Sequence, residues 1–595
     1  MTKSRLNPPA FPAPANGTGE STRRRTGHGG VQTSSRTRVL MSACLAVVLL
    51  LSGCSAIPSS GPVQMSEELL NDESESSVGF SPMGPQEGDS PEAIVDGFIN
   101  AGTGTENNYR TARQFLAPGI ADSWRPDVRT LVYRGIPNII EGATEDTFSV
   151  TLDLVRTVDA EGVSRPVSES GTDTVEYSLT QLPNGEWRIS EAPDGIMMST
   201  SEFAEVFDPH NLYFYSPNYR YAVPDVRWFA LGPSVPASLV RVMLNGPAPH
   251  LKGAVISAFN DGTTLASPAV AVDSGVALVD LTPGATEGAS LLQRQRMQKQ
   301  LEMMLLQLNN VSSVEMTVGQ REVDLPEDSD RVSPVMDPQV PTVQAIVKDK
   351  ELALYEGLEV LPAGDLVPVS DLSPRDPAIS YNERLFAFLN GERSQMFITA
   401  PGIGVNQVLA GKLLTEPSFD PYGWLWTAHG DDSGKIFSIN AGRNPGQVAS
   451  VEASWLEGTV TDLKISRDGA RAMVITNDGE ESQVMISGVI RNEQGVPTEL
   501  TVPLQLQKTV PADRGAWIDE TSVVVMKASA TEDVQAEILR PGASTVLAGL
   551  EGLTHISAGN GDQQIYGQTD DAIFLQVGTT WSEQTEGVKD PSFAG

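Results

Sequence analysis

The sequence contains two cysteines, Cys44 and Cys54, and the residues around them indicate what chemistry each thiol can perform. Two thiols ten residues apart, with no other cysteine in the chain, provide neither a disulfide framework nor a set of zinc ligands. Cys44 lies inside an apolar run, whereas Cys54 directly follows Leu51, Ser52 and Gly53. Only a thiol can carry a lipid as a thioether, and small side chains before it let a peptidase approach the backbone. The sequence therefore indicates Cys54 as a site of lipid attachment.

The residues before Cys54 have the features of a secretion signal. Thirteen mostly apolar residues, 39–51, follow a basic segment that contains Arg36 and Arg38. This run is too short to cross about 30 Å of hydrocarbon, but it has the length of a signal-peptide core. Together with Leu51-Ser52-Gly53-Cys54 it resembles the lipobox of bacterial lipoproteins, which implies cleavage before Cys54 and acylation there. We expect residues 1–53 to be removed as a signal peptide. The alternative is an uncleaved signal anchor.

The segment after Cys54 and the overall charge restrict what the exported chain can bind. Residues 54–89 are rich in serine, glutamate and aspartate without apolar periodicity, which favours a lipidated, disordered tether. The net charge is −35, and residues 1–53 carry +6, so the rest carries −41. Such an acidic chain is unsuited to nucleic acid or anionic lipid, because the negative field opposes every phosphate contact.

Motifs for a metal, a nucleophile or a bound nucleotide are absent from the sequence. There is no His-Glu-x-x-His and no Gly-x-Ser-x-Gly, and Gly411-Lys412 precedes Leu413 where a phosphate-binding loop needs Ser or Thr. No ligand spacing relates the histidines of the mature chain, which are His210, His250, His429 and His555. We therefore expect no enzyme, no metal and no cofactor.

Two carboxylate patterns need a separate interpretation. Asp431-Asp432-Ser433-Gly434 lies between apolar strands, so a hairpin turn is favoured over a calcium loop. Carboxylates are abundant elsewhere, and counting them does not exclude a glycosidase pair, although no local motif selects one.

Residues 90–200 predict a small α+β domain. Ser90 and Pro91 are suited to the start of a helix, and alternating apolar residues follow as strands. Asn184-Gly185 predicts a type I′ hairpin turn that leads into a strand at Trp187. Helices followed by a meander of strands resemble an NTF2-like, cone-shaped domain.

Residues 205–328 predict a second α+β domain. A helix ends at Asn245-Gly246-Pro247, a strand covers 276–281, a long helix covers 290–309, and a closing hairpin covers 314–325. Methionines and leucines form the apolar stripe of the long helix, which favours core packing over a cofactor role. This order resembles the GerMN domain, which implies a non-catalytic module of the kind suspected of binding cell-wall components.

Residues 340–595 predict an all-β propeller. Short apolar strands alternate with Gly, Asn and Asp turns, and a weak repeat recurs at intervals of 40, 46, 52 and 39 residues. The repeat starts at Ile379, Phe419, Ile465, Trp517 and Ile556. With the strands of 343–369, this spacing predicts about six blades. The alternative is a pair of β-sandwiches.

The order of lipobox, acidic tether, two α+β domains and propeller resembles the LpqB family of actinobacterial envelope lipoproteins. The resemblance implies a multidomain protein on the outer face of the cytoplasmic membrane, held by its lipid. It also implies a partner, the extracytoplasmic domain of an MtrB-like sensor histidine kinase, and a role in cell-wall homeostasis and division.

A cell-wall glycan, such as peptidoglycan, is the alternative ligand. Trp424, Trp426 and Trp517 could form a glycan-binding face, but core packing is the favoured interpretation of aromatic residues in propeller strands. The sequence identifies no ligand-binding residues.

Overall fold

A computed structural model of the chain describes residues 82–167, 172–325, 333–431, 434–442, 446–479, 481–508 and 511–595. All of them fall within one contiguous unit, Ser76–Gly595. None of the helices in these ranges is long and apolar enough to cross a membrane. The predicted signal peptide and most of the predicted tether lie outside the described residues.

The amino-terminal part packs helices against one face of a curved sheet. Its helices are α1 (Pro91–Ala101), α2 (Glu106–Gln114), α3 (Pro118–Ala121) and α4 (Thr200–Val206). Its strands are β1 (Arg129–Glu141), β2 (Thr147–Asp159), β3 (Ser164–Pro166), β4 (Thr172–Gln181), β5 (Trp187–Glu191) and β6 (Ile196–Ser199). The strand order is β5-β4-β2-β1-β6, with β3 paired to β2. The likeness to an NTF2-like cone stays a prediction.

Local signals set the first helix and the last hairpin of this part. Ser90 Oγ accepts the Ala93 N–H at 3.2 Å, and Pro91 occupies the first turn of α1, as predicted. The prediction of a type I′ turn at Asn184-Gly185 is wrong, because only Gly185 has a positive φ, at 90°. Asn184 Oδ1 instead accepts the Glu186 N–H, and the longer loop closes with a single left-handed glycine.

The middle part combines two small sheets with two helices. Its elements are β7 (Phe207–Tyr215), β8 (Ala222–Ala230), α5 (Val235–Asn245), β9 (Ala271–Asp273), β10 (Val276–Leu281), α6 (Leu291–Leu305) and β11 (Ser313–Val318). Strands β7 and β8 form a hairpin, and a second sheet has the order β11-β10-β9. Strand β11 runs parallel to β10 and has no strand on its other side within this sheet.

The long helix of the middle part ends earlier than predicted. Met297, Leu301 and Met304 are buried, which confirms that its methionine stripe packs in the core. The helix stops at Leu305 rather than residue 309, because the Gln307 side chain donates to Met304 O at 2.6 Å. The Leu308 N–H bonds Leu305 O instead, which tightens the last turn.

The carboxy-terminal part consists of six sheets. Blade 1 contains β12 (Gln344–Lys348), β13 (Glu351–Glu356), β14 (Glu359–Pro362) and β36 (Val588–Ser592). Blade 2 contains β15 (Arg375–Ile379), β16 (Phe386–Leu389), β17 (Gln395–Ala400) and β18 (Ile403–Ala410). Blade 3 contains β19 (Ser418–Phe419), β20 (Trp424–Ala428), β21 (Ile436–Asn440) and β22 (Gln447–Val451).

The remaining three blades follow in chain order. Blade 4 contains β23 (Thr459–Ile465), β24 (Arg471–Asn477), β25 (Ser482–Arg491), β26 (Pro497–Leu500) and β27 (Leu504–Lys508). Blade 5 contains β28 (Arg514–Trp517), β29 (Val523–Met526), β30 (Asp533–Arg540) and β31 (Ala543–Glu551). Blade 6 contains β32 (His555–Ala558), β33 (Ile565–Gln568), β34 (Ala572–Val577) and β35 (Thr580–Glu586).

The prediction of a propeller with about six blades is confirmed, and the β-sandwich alternative is wrong. Each of the five predicted repeat anchors lies in the innermost strand of its blade. The innermost strands β36, β15, β19, β23, β28 and β32 contact one another in a ring around a central channel. The last strand, β36, pairs with β12, so blade 1 joins the two ends of the domain and no sheet edge stays open at the seam.

The indole of Trp228 joins all three parts. Its ring packs on Phe203 of α4 with centroids 5.0 Å apart, and its Nε1 donates to Pro541 O of blade 5 at 3.0 Å. Its backbone N–H donates to Gly162 O at 2.8 Å. A Cβ on Gly542, whose φ is 90°, would lie 2.3 Å from this Nε1, so only glycine fits there.

Buried polar contacts hold the same junction. Asp225 and Arg227 form a fully buried ion pair, and Arg227 also donates to Glu161 O at 2.8 Å. Thr501 Oγ1 donates to His250 O at 2.5 Å, which connects blade 4 to the middle part. If the parts moved relative to one another, these contacts would break and leave buried charges or polar groups without a partner. Because that is costly, the contacts hold the parts in one arrangement.

Candidate functional site

Ionisable side chains from all six blades line one region of the channel. Asp376 comes from β15, Lys464 from β23, Arg514 from β28, and His555 from β32. The set also includes Glu416, which precedes β19, Arg393, between β16 and β17, and Asp590 of β36. We call these seven residues the channel cluster.

The carboxylates of Asp376 and Glu416 are paired with cations, whereas Asp590 Oδ2 accepts the Asp376 N–H at 3.1 Å. Arg393 holds Asp376 with two hydrogen bonds, Nε to Oδ2 at 2.7 Å and Nη2 to Oδ1 at 2.8 Å. Glu416 pairs with Arg514 and accepts from Lys464 Nζ at 2.9 Å. Burial alone would raise the pKa of Asp376, but the charges of Arg393 and Arg514 outweigh it and hold the pKa at about 2.

His555 completes the cluster as a neutral ring. Its Nε2 lies 3.0 Å from Pro591 O, and a carbonyl oxygen only accepts, so Nε2 carries the proton. Its Nδ1 then accepts from Arg514 Nη1 at 3.4 Å. Burial, and next the charge of Arg514, lower the pKa of His555 to about 4. The histidine therefore orients Arg514 and fixes the end of β36.

The channel cluster contains a triad with the composition of a metal site. One ligand atom each from Asp376, Glu416 and His555 lies within 4.8 Å of the others. Sequence reasoning missed this group because its members come from three blades, and no local spacing relates them. Arg393, Arg514 and Lys464 already neutralise both carboxylates, so a cation would have to displace half-buried guanidinium groups. The donor set fits a structural ion-pair network better than a metal centre.

The space beside the channel cluster is small. The cavity measures about 50 Å³, and its walls include Trp517, Ser557 and Phe593. A bound water needs roughly 10–15 Å³ of such space, so the cavity has room for a few water molecules. Where the inner strands end, buried Arg467 crosses the channel and donates to Trp517 O at 3.1 Å, Gly559 O at 2.6 Å and Asn560 Oδ1 at 3.1 Å.

The tryptophans considered as a glycan face are buried. Trp424 is 5 % exposed, Trp426 0 % and Trp517 6 %. Trp426 Nε1 donates to Asp420 Oδ2 at 3.1 Å, and Trp517 Nε1 donates to Lys464 O at 3.0 Å. The favoured interpretation, core packing, is therefore confirmed.

The other residues named from the sequence lie apart from the channel. The predicted lipid-attachment site, Cys54, and the lipobox residues Leu51, Ser52 and Gly53 lie outside the described residues. His210 and His250 belong to the middle part, and His429 to blade 3, so the described structure does not gather the histidines. Strands β20 and β21 pair antiparallel. Asp432 and Ser433 of the turn predicted between them lie outside the described residues.

Models of three protein families match consecutive parts of the chain. The Lipoprotein LpqB N-terminal domain matches residues 84–204. The family described as Sporulation and spore germination matches residues 211–324. The Lipoprotein LpqB beta-propeller domain matches residues 351–594.

Similar proteins match nearly the whole length. Lipoprotein LpqB of Thermobifida fusca is 26% identical, with 95% of this chain and all of the relative covered. Lipoprotein LpqB of Streptomyces coelicolor is 26% identical, with 94% and 98% covered. Among solved structures, the first GerMN domain of the Bacillus subtilis sporulation protein GerM matches with a TM-score of 0.18 and 17% identity, over 22% of this chain and 93% of that one.

We predict that His555 makes stability depend on pH. The pKa of His555 in the folded chain, about 4, lies below the usual histidine value of 6.5, so the unfolded chain takes up the proton first and acid favours unfolding. Between about pH 7.5 and pH 5, wild type should lose on the order of 2 kcal/mol more unfolding free energy than His555→Gln. Urea unfolding of residues 55–595 at both pH values measures the difference. An equal loss in both proteins would contradict the prediction.

Proposed function

Because the chain belongs to the LpqB family of lipoproteins, we propose that it is a non-catalytic protein anchored at the outer face of the cytoplasmic membrane through Cys54. Its folded part binds the extracytoplasmic domain of an MtrB-like sensor histidine kinase and modulates its signalling. Cell-wall homeostasis and division are the processes affected.

The paired charges of the propeller channel are the observation that favours a binding role over catalysis. In an enzyme, charged groups of a cleft have free positions where a substrate can contact them. In this channel Asp376 and Glu416 are occupied by Arg393, Arg514 and Lys464, and the adjacent cavity measures only about 50 Å³. The propeller therefore offers its outer surface, rather than its centre, to a macromolecule.

The domain junction supports the same proposal. Trp228 contacts the amino-terminal part and blade 5, and Arg227 donates to Glu161 O of the amino-terminal part, so a partner meets the surfaces of three connected parts. A glycan ligand has less support, because the tryptophans that could have stacked on sugar rings are buried. Retention of residues 55–595 on purified cell wall tests that alternative directly.

Membrane attachment through Cys54 is tested by fractionation of cells that express the full chain. The wild type should sediment with membranes, because two or three acyl chains bind far more firmly than one. Cys54→Ala should remain unlipidated and lose the thioether anchor, whereas Cys44→Ala serves as the matched control and should behave as wild type. Metabolic labelling with a fatty acid reports the modification itself. Equal labelling of Cys54→Ala would contradict the proposal.

Kinase binding is tested by titrating residues 55–595 against the isolated extracytoplasmic domain of the candidate kinase. We expect saturable binding, and deletion of the lipoprotein should change kinase output in cells. If there is no affinity and the output is unchanged, the regulatory role fails.

A further inference from the structure

The turn between β7 and β8 places a tyrosine where the backbone suits glycine. The Tyr219 N–H donates to Ser216 O at 2.8 Å, and Tyr219 has a φ of 60°, in the left-handed region that a bulky residue seldom adopts. Other turns of the chain with the same hydrogen bond place glycine at this position, as at Gly423 and Gly469, although Glu383 also occupies one. The side chain of Tyr219 therefore has to account for its presence.

Neighbouring side chains hold the Tyr219 ring in one position. The guanidinium carbon of Arg296, on α6, lies 3.5 Å from the centroid of the ring. The ring of Tyr215 packs against it with centroids 5.2 Å apart, and Tyr215 OH donates to Arg296 O at 2.9 Å. The Tyr219 side chain is only half-buried, so part of the ring faces solvent. Because the ring is already ordered, a partner that contacts it loses little side-chain entropy on binding.

Two arginines bring positive charge to the same turn. Arg220 is exposed, and its guanidinium carbon lies 5.0 Å from the ring centroid of Tyr221. In the described ranges no carboxylate lies within ion-pair distance of Arg220 or Arg296, although the chain has 76 acidic and 41 basic residues. Arginine is weakly hydrated and pairs well with carboxylates at interfaces. The turn therefore offers two cations to carboxylates outside the chain.

Exposed apolar side chains lie beside the turn. The Val335 N–H donates to Arg220 O at 2.9 Å, and Val335 and Met336 are 47 % and 41 % exposed. Tyrosine, arginine and methionine are enriched where proteins contact one another. The turn also borders the contact between the middle part and the propeller, since the rings of Tyr221 and Tyr422 lie 6.0 Å apart. The surface thus continues an interface that the chain already forms.

We propose that one surface of the middle part, the Tyr219 patch, holds the sensor domain. The patch consists of Tyr219, Arg220, Arg296, Val335 and Met336. The partner directs aspartate or glutamate side chains to the two arginines and an apolar contact to the ring and to Met336. A phosphate-rich polymer is disfavoured, because the acidic chain repels it at longer range. The inference rests on the proposed function and deepens it by naming the binding surface and the acidic character of the partner's face.

The test titrates residues 55–595 against the isolated extracytoplasmic domain of the candidate kinase. The double variant Arg220→Glu, Arg296→Glu should bind at least about tenfold more weakly, since repulsion replaces attraction at two positions. Tyr219→Gly should also bind at least about tenfold more weakly, because it removes an ordered aromatic anchor. Glycine adopts a φ of 60° without strain, so this variant keeps the turn and loses only the ring. Circular dichroism checks that each variant folds.

A matched control separates the patch from the overall charge of the chain. Arg110→Glu, Arg134→Glu makes the same change of net charge at exposed positions of the amino-terminal part. This control should bind the sensor domain within about twofold of wild type, because the contact is local. Equal weakening of the patch and control variants would overturn the patch assignment.

The remaining outcomes distinguish the two proposals. If the sensor domain binds wild type, Tyr219→Gly and the charge-reversed patch equally, the patch assignment fails and the proposed function stands. If wild type shows no affinity for the sensor domain, the kinase role fails, and the partner assigned to the patch fails with it.

Discussion

The bidentate contact between Arg393 and Asp376 lies at the centre of the closed channel. Removing charges from water is costly, and only close pairing with full hydrogen bonding offsets that cost. Here the two oxygens of Asp376 face two guanidinium nitrogens, and Glu416 is shared by Arg514 and Lys464. Asp376 and Arg393 belong to blade 2, whereas Glu416, Lys464, Arg514 and His555 come from blades 3 to 6, so the full set of contacts forms only when these blades stand in register. Strand β36 provides the last contacts, through Pro591 and Asp590.

Because the propeller is joined to two further domains, the protein presents all three domains to a partner together. The contacts of Trp228 and the hydrogen bond from Arg227 to Glu161 O hold the two further domains and the propeller against one another. The predicted tether before residue 90 would supply the reach toward a membrane partner, while the folded part supplies the rigid surface.

Local sequence patterns predicted the helix starts and strands whose formation depends on residues close together in the chain. Ser90 caps its helix, and Ile379, Phe419 and Ile465 mark inner strands, because each signal depends on neighbours in the sequence. The turn type at Asn184-Gly185 and the end of α6 were predicted wrongly from the sequence. The side chains of Asn184 and Gln307 form hydrogen bonds that compete with the expected backbone hydrogen bonds.

Contacts between residues far apart in the chain could not be predicted from the sequence. Asp376, Glu416 and His555 meet only through the circular order of the blades, and no spacing along the chain encodes that proximity. The pairing of β36 with β12 was also not predicted. Residues 343–369 supply only three strands of the first blade, which indicates that its fourth strand comes from elsewhere in the chain.

A double-mutant cycle on Arg393→Gln and Asp376→Asn tests most directly whether the channel cluster acts as one interdependent network. Urea unfolding of residues 55–595 gives the free energy for wild type, both single variants and the double variant. Each single change removes the bidentate contact and leaves only weaker partners, which are Arg375 and Arg514 for Asp376 and Glu416 for Arg393. We therefore predict a coupling energy of about 1 kcal/mol or more. A coupling energy near zero would show that the two residues stabilise the fold independently, and would contradict the account of a self-neutralised, closed channel.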